Sequence, residues 1–166
     1  AAAGFEAVAF HASPGLPGQW QGVDPAACTG AARELLRRSL ARFRRIEIHA
    51  PFRPSLETAT LDQFPAALLP ALELAGDVGA ALVTAHCELP AAPSAAEQRA
   101  WDATLAALDA AARRCQTALG LELSHGFAAC ERWTYAHLGV TLDVDHVFMD
   151  RAGQTLAQAG GFGELV

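Results

Sequence analysis

Short apolar runs alternate with longer amphipathic stretches along this chain. The runs cover residues 5–10, 45–50, 80–86, 121–124 and 140–144. Each is brief and rich in Leu or β-branched residues, as buried strands are. The stretches between most of them carry helix signals. Across 31–43, Leu35, Leu36 and Leu40 gather on one side, and Arg33, Arg37, Arg38 and Arg42 fall mostly on the other. Across 94–117 the signal is clearest. Ser94 and Glu97 have the spacing of a capping box, and Trp101, Leu105, Leu108, Ala112 and Cys115 follow as an apolar stripe. Gly120 is placed to stop that helix. The stretch 61–77 is helical in pattern but holds Pro65 and Pro70, so a helix there is expected to start late or kink at Pro70.

Strands alternating with helices predict an α/β fold with a parallel sheet covered on both faces. In such folds the loops after the strands carry function. Residues 13–25 form one such loop, with three prolines, three glycines and Trp20. Neither a GxGxxG nor a Walker loop is present, so nucleotide-binding folds lose their usual support.

The strand ends carry the candidate chemistry. His49 ends one run and His86 the next. Glu122 lies in the fourth, Asp143 in the fifth, and His146 follows three residues on. Period-2 alternation puts Ile46 and Ile48 on one face and Glu47 and His49 on the other. Likewise Leu121 and Leu123 oppose Glu122. With the aliphatic face against helices, the polar set points into a barrel and converges at one mouth. His49 to His86 is 37 positions and His86 to Glu122 is 36, each one strand–helix unit. Glu122 to Asp143 is only 21, which calls for a shortened unit. Mixed imidazole and carboxylate donors suit Zn²⁺, Mn²⁺, Co²⁺, Mg²⁺ or a similar divalent ion.

Composition narrows the chemistry. The net charge is −6, and all 12 basic residues are Arg. Without lysine the chain can form no Schiff base. Its acidity argues against nucleic acid as a partner. Arg33, Arg37, Arg38, Arg42, Arg44 and Arg45 form a basic run, read as the solvated outer face of a helix rather than a phosphate patch. Cys28, Cys87, Cys115 and Cys130 include no C-x-x-C pair and read as reduced thiols of a cytoplasmic protein. The N-terminus holds Glu6 and no basic segment, so no secretory leader is expected. No apolar run reaches the length of a membrane span.

The segments RIEIHAPF at 45–52, ALVTAH at 81–86 and GVTLDVDH at 139–146 together resemble the xylose isomerase-like barrel superfamily. This group includes sugar phosphate isomerases and epimerases and the type IV apurinic endonucleases. GFEAV at 4–8 looks like the family's second strand, and the L-D-x-x-H motif at 142–146 is the most specific match. The resemblance implies an incomplete TIM (β/α)8 barrel: about five parallel strands in one partial domain over 1–166, lacking the first strand and the last two. It implies Glu122 and Asp143 as metal ligands, and Glu122 as a proton-transfer group. His146 would touch substrate or metal and take part in catalysis. His49 and His86 would line the pocket, as in the isomerases, or bind metal, as in the endonucleases. Apart from the resemblance, Trp20 in its Gly/Pro loop reads either as a substrate lid or as an exposed loop aromatic. Departures include Leu123 where the family often has Asn, and Val8-Ala9-Phe10 where it often has V-E-L.

The expected function is metal-assisted proton transfer on a small sugar or sugar phosphate. The alternatives are an endonuclease IV-like phosphodiesterase and a non-catalytic barrel remnant. Open sheet edges would also allow homo-oligomers.

Overall fold

A computed structural model describes residues 4–15, 18, 21–51, 63–87, 93–123 and 127–143, without the side chains of 127–129. Five strands, β1 (Ala7–His11), β2 (Arg45–His49), β3 (Leu82–Cys87), β4 (Ala118–Leu123) and β5 (Leu138–Thr141), form one parallel sheet in sequential order. Helices α1 (Gly30–Leu40), α2 (Gln63–Val78) and α3 (Ala95–Arg114) connect the first four strands. A 3-10 turn, Phe127–Arg132, stands between β4 and β5, and this short link accounts for the spacing of only 21 positions between Glu122 and Asp143.

Among the described residues helices cover one face of the sheet, not both as simple alternation suggests. Helix α1 packs on α2 and α2 on α3, so the helices share one face. Sequential strand order has this consequence, because each crossover of the same hand returns to the same side. Burial along the strands agrees. Ile46 and Ile48 on β2, Val83, Ala85 and Cys87 on β3, and Leu119, Leu121 and Leu123 on β4 are buried. Between them Glu47, His49, Leu82, Thr84 and His86 are only half-buried. The sheet is therefore the open, curved wall of a barrel with a helical outside, and the inner face carries the polar set.

The core fills the space between the sheet's outer face and the helices. Phe64, Leu68, Leu72, Leu74 and Ala75 of α2 are fully buried there, as are Leu105 and Leu108 of α3. Each fully buried large aliphatic side chain stabilises the fold by about 1.5–3 kcal/mol. Trp101 stands edge-on to Phe64, ring centroids 5.8 Å apart. Leu36 packs against this core, but Leu35, expected on the same side, is 67% exposed.

Local signals set the helix ends. The Thr29 hydroxyl accepts from the Ala32 amide at 3.3 Å and starts α1. At α3 the capping box forms: the Ser94 hydroxyl accepts from the Glu97 amide, and the Glu97 carboxylate accepts from the Ser94 amide at 2.7 Å. Pro65 falls in the first turn of α2, where its missing donor costs little, and α2 runs on through Pro70 to Val78. Gly79 (φ 75°) closes α2 with amide bonds from Gly79 to Gly76 and from Ala80 to Ala75. The end of α3 differs from expectation. Gly120 lies inside β4, and Gln116 (φ 54°) takes the left-handed position. Amide bonds from Gln116 to Arg113 and from Thr117 to Ala112 complete the same closing motif. Among the described residues, no helix is long and apolar enough to cross a membrane.

Candidate metal centre at the barrel mouth

Strand register decides which polar ends meet. His11 of β1 pairs with His49 of β2, and His49 with Thr84 of β3. His86 therefore stands two residues further along, level with Glu122 of β4. Side chains at alternate positions share a face, so all four point into the barrel at the carboxyl ends of their strands. Each strand end is fastened to the next: the Ala12 amide donates to the His49 carbonyl at 2.8 Å, and the Ala50 amide to the Thr84 carbonyl at 2.7 Å.

Glu122 is the centre of the arrangement. Its side chain is 6% exposed, against 21% for His49 and 19% for His86. His49 Nε2 lies 3.8 Å from one carboxylate oxygen and His86 Nδ1 lies 3.4 Å from the other. His49 Nδ1 sits 2.8 Å from the Ala50 carbonyl. A carbonyl only accepts, so Nδ1 carries a proton that it donates there. In neutral His49, Nε2 then presents a lone pair toward the carboxylate. Two acceptors facing each other call for a cation between them, either a proton or a metal ion. One donor atom from each of His49, His86 and Glu122 lies within 4.8 Å of the others. In a tetrahedral site with bonds of 2.0–2.2 Å, neighbouring donors stand about 3.4 Å apart. The donor set and the carbonyl that orients His49 fit a divalent ion, about which the three donors would draw closer together than they stand here.

His11 joins the row. Its ring centroid is 5.0 Å from that of His49, and His49 is 5.0 Å from His86. Burial, and then positive charge on His49 and His86, lowers the His11 pKa below its ordinary value. The only sign of it in the sequence was a His directly after the first apolar run.

Other expected site residues divide. Asp143 is half-buried two residues past the end of β5 and is not among the three grouped donors. His146 and Trp20 lie outside the described residues. Glu47 pairs with Arg45 at 2.5 Å. Carboxylates pair with most of the arginine run: Arg33 with Asp77, Arg37 and Arg38 both with Glu34, Arg44 with Glu6. Hydrogen bonds from Arg37 and Arg38 hold the Glu34 carboxyl down at about 2. Burial pushes the Cys130 thiol up to about 12, which removes it as a nucleophile at neutral pH.

No protein-family model and no curated protein matches the chain. Solved structures do. A D-tagatose 3-epimerase-like protein matches at TM-score 0.60 and 19% identity, over 86% of this chain and 58% of that one. A xylose isomerase domain protein from Planctomyces limnophilus matches at TM-score 0.62 and 16% identity, over 82% and 54%. The TTHB071 protein from Thermus thermophilus, soaked with ZnCl2, matches at TM-score 0.57 and 25% identity, over 86% and 68%. The chain thus spans a little over half the length of the first two. With five parallel strands in sequential order, helices on one side and its polar strand ends at one mouth, the chain has the fold of the xylose isomerase-like TIM barrels, its described residues forming an open five-stranded part of such a barrel.

Proposed function

We propose that this chain carries part of a divalent-metal site for proton transfer on a small ketose or related hydroxy-carbonyl substrate, as an isomerase or epimerase. The observation that carries the reading is the convergence of His49 Nε2 and His86 Nδ1 on the buried Glu122 carboxylate. A divalent ion held by these three would polarise the substrate carbonyl and acidify the adjacent C–H. Glu122 would take that proton on a carboxylate oxygen. Return of the proton to the neighbouring carbon, with the hydroxyl proton passing from one oxygen to the other, gives the isomer; delivery of a proton to the opposite face of the original carbon, by a second group, gives the epimer. The Ala50 carbonyl keeps the His49 ring in one orientation throughout. By family resemblance Asp143 would add a ligand and His146 would touch the substrate; Trp20, from its place in a Gly/Pro loop, would close over it.

The test is deuterium exchange of substrate α-protons, followed by NMR in D2O with Mn²⁺, Co²⁺ or Zn²⁺ added. Ketoses and ketose phosphates form the panel. Exchange should require the metal and fall at least about 100-fold in Glu122→Gln, the loss expected when a positioned base is removed. No metal-dependent exchange across the panel would overturn the reading.

A second reading, metal-dependent phosphodiester cleavage, is favoured by the row of three imidazoles and opposed by the net charge of −6. Cleavage of an abasic DNA duplex would select it.

A further inference from the structure

A cavity of about 410 Å³ lies in the helical layer, between α1, α2 and the end of α3. Its lining residues come from the helices and their ends and none from a strand, so it is separate from the candidate metal centre. Several features that cost stability border it. Glu73 and Asp77 stand one turn apart toward the C-terminal end of α2, whose last turn carries no basic residue. Like charges at this spacing repel, and a helix C-terminus favours cations over carboxylates. Gly76, between them, weakens the helix, yet a Cβ there would meet the Cys115 carbonyl oxygen at 2.8 Å. Its bare backbone lets the end of α3 close against α2. Gln116 takes the left-handed conformation (φ 54°) that glycine adopts without cost. Local rules of this kind are broken preferentially at functional sites, and here they are broken around one cavity.

The charged groups of the cavity differ in how far the chain itself occupies them. The Arg33 guanidinium is held in place, donating to one oxygen of Asp77 and to the Cys28 and Pro25 carbonyls. Among the described residues neither Glu73 nor Arg114 has an ion-pair partner. Burial, and then the negative charge of Glu73, raises the Cys115 pKa above its ordinary value, so the thiol stays neutral and forms wall, not nucleophile. The cavity thus offers one guanidinium, the Glu73 carboxylate and the second oxygen of Asp77. We propose that it is a second binding site, for a small zwitterion of the amino-acid type, with the ammonium group on Glu73 and Asp77 and the carboxylate on Arg114. An ammonium brings three donors to the two carboxylates, and the arginine fork matches a carboxylate. The bound ammonium relieves the repulsion between Glu73 and Asp77 and supplies the cation that the end of α2 lacks. Two arginines and two carboxylates line the site, so a ligand without net charge leaves no charge unbalanced. The Gln116 amide offers a further donor and acceptor, and the volume lies in the range of small-molecule sites. The proposal is independent of the proton-transfer reading.

The experiment titrates the whole chain with glycine, β-alanine and 4-aminobutyrate, in which the two charges stand progressively further apart. Acetate and methylammonium, each carrying one of the charges, are the controls, and calorimetry gives the dissociation constants. At least one zwitterion should bind with a Kd below about 1 mM, and about tenfold or more tighter than either control. Glu73→Gln and Arg114→Gln should each weaken that zwitterion by about tenfold, the loss expected for a hydrogen bond to a charged group. Arg113→Gln, beside the site but not in its lining, should leave the affinity within about twofold. Gln116→Gly should weaken it about threefold. Glu73, Arg113 and Arg114 are exposed, so their substitution leaves the core intact. Binding of no zwitterion below about 1 mM, or binding no tighter than that of the controls, overturns the proposal. Undiminished affinity in Glu73→Gln or in Arg114→Gln overturns it as well. A loss in Arg113→Gln equal to that in Arg114→Gln overturns it in favour of general attraction to a charged surface.

Discussion

Gly120 lies on the inner face of β4, two residues before Glu122, in register with Gly139 of β5. A Cβ at this position would press on the Thr141 hydroxyl oxygen far inside contact distance. It would also stand 3.3 Å from the Thr141 Cβ and 3.4 Å from a Leu82 methyl. Thr141 is itself the register partner of Glu122, and its β-branched side chain is stiff at χ1. Gly120→Ala therefore has to part β4 from β5 beneath the candidate centre. Overpacking of this kind costs ~1–3 kcal/mol, offset in part by the ~0.5–1 kcal/mol that Ala gains over Gly in a strand. A net loss of about 1–2 kcal/mol is expected. Thr141→Ala removes the closest atom and leaves the 3.3 Å contact, so the double variant should recover more than half of the loss. Urea unfolding of the four proteins of this cycle measures the coupling. With m of about 2 kcal/mol/M, within the usual range for urea, Gly120→Ala alone should shift the midpoint by roughly 0.5–1 M at unchanged m. Zinc affinity should fall in Gly120→Ala and return in the double variant, because Glu122 moves with the strand. Additive effects in the cycle, or a Gly120→Ala chain as stable as wild type, would refute the reasoning.

Two further predictions concern stability. Gln116 holds a left-handed conformation at the C-terminus of α3, which costs a residue with a Cβ roughly 1 kcal/mol; Gln116→Gly should stabilise the chain by about 0.5–1 kcal/mol. A lowered urea midpoint would show that the Gln116 side chain contributes more than its backbone costs. The second is a pH dependence. The folded chain holds the His11 pKa below 6.5, first through burial and then through His49 and His86. Between that lowered value and 6.5 the unfolded chain binds a proton that folded His11 does not, so stability present above 6.5 is lost as pH falls through the folded value. His11→Gln should flatten the fall in urea midpoint on acidification from about pH 7 to 5, and an unchanged slope would contradict the assignment.

The sequence and the tertiary structure contributed differently to the candidate site. His49, His86 and Glu122 were legible because two-residue alternation within β2 and β4 is a local property, and Ile46, Ile48, Leu121 and Leu123 mark the opposite face. The capping box at Ser94 was legible for the same reason. The end of α3 was not, because Gln116 carries none of the composition of a left-handed residue and Gly120 offered a better signal in the wrong place. Leu35 also misled. It continues the apolar stripe of α1, but only packing against α2 decides how far that stripe extends.

Glu122 was the least supported member of the set in sequence, since its neighbour Leu123 departs from the family pattern. The fold makes it the residue on which two imidazoles converge. Asp143, part of the most specific motif, lies outside that grouping. Spacing along a chain counts residues per strand–helix unit and says nothing of stagger between strands. His49 is level with Thr84, and His86 with Glu122; that offset is set by hydrogen-bond register and the curvature of the sheet. The sequence alone determined the β/α rhythm, the inward polar face and the residue types at the strand ends, because those follow from periods of two and 3.6. Which of those ends share one site, and that His11 stands beside them, was decided only when the strands were laid side by side.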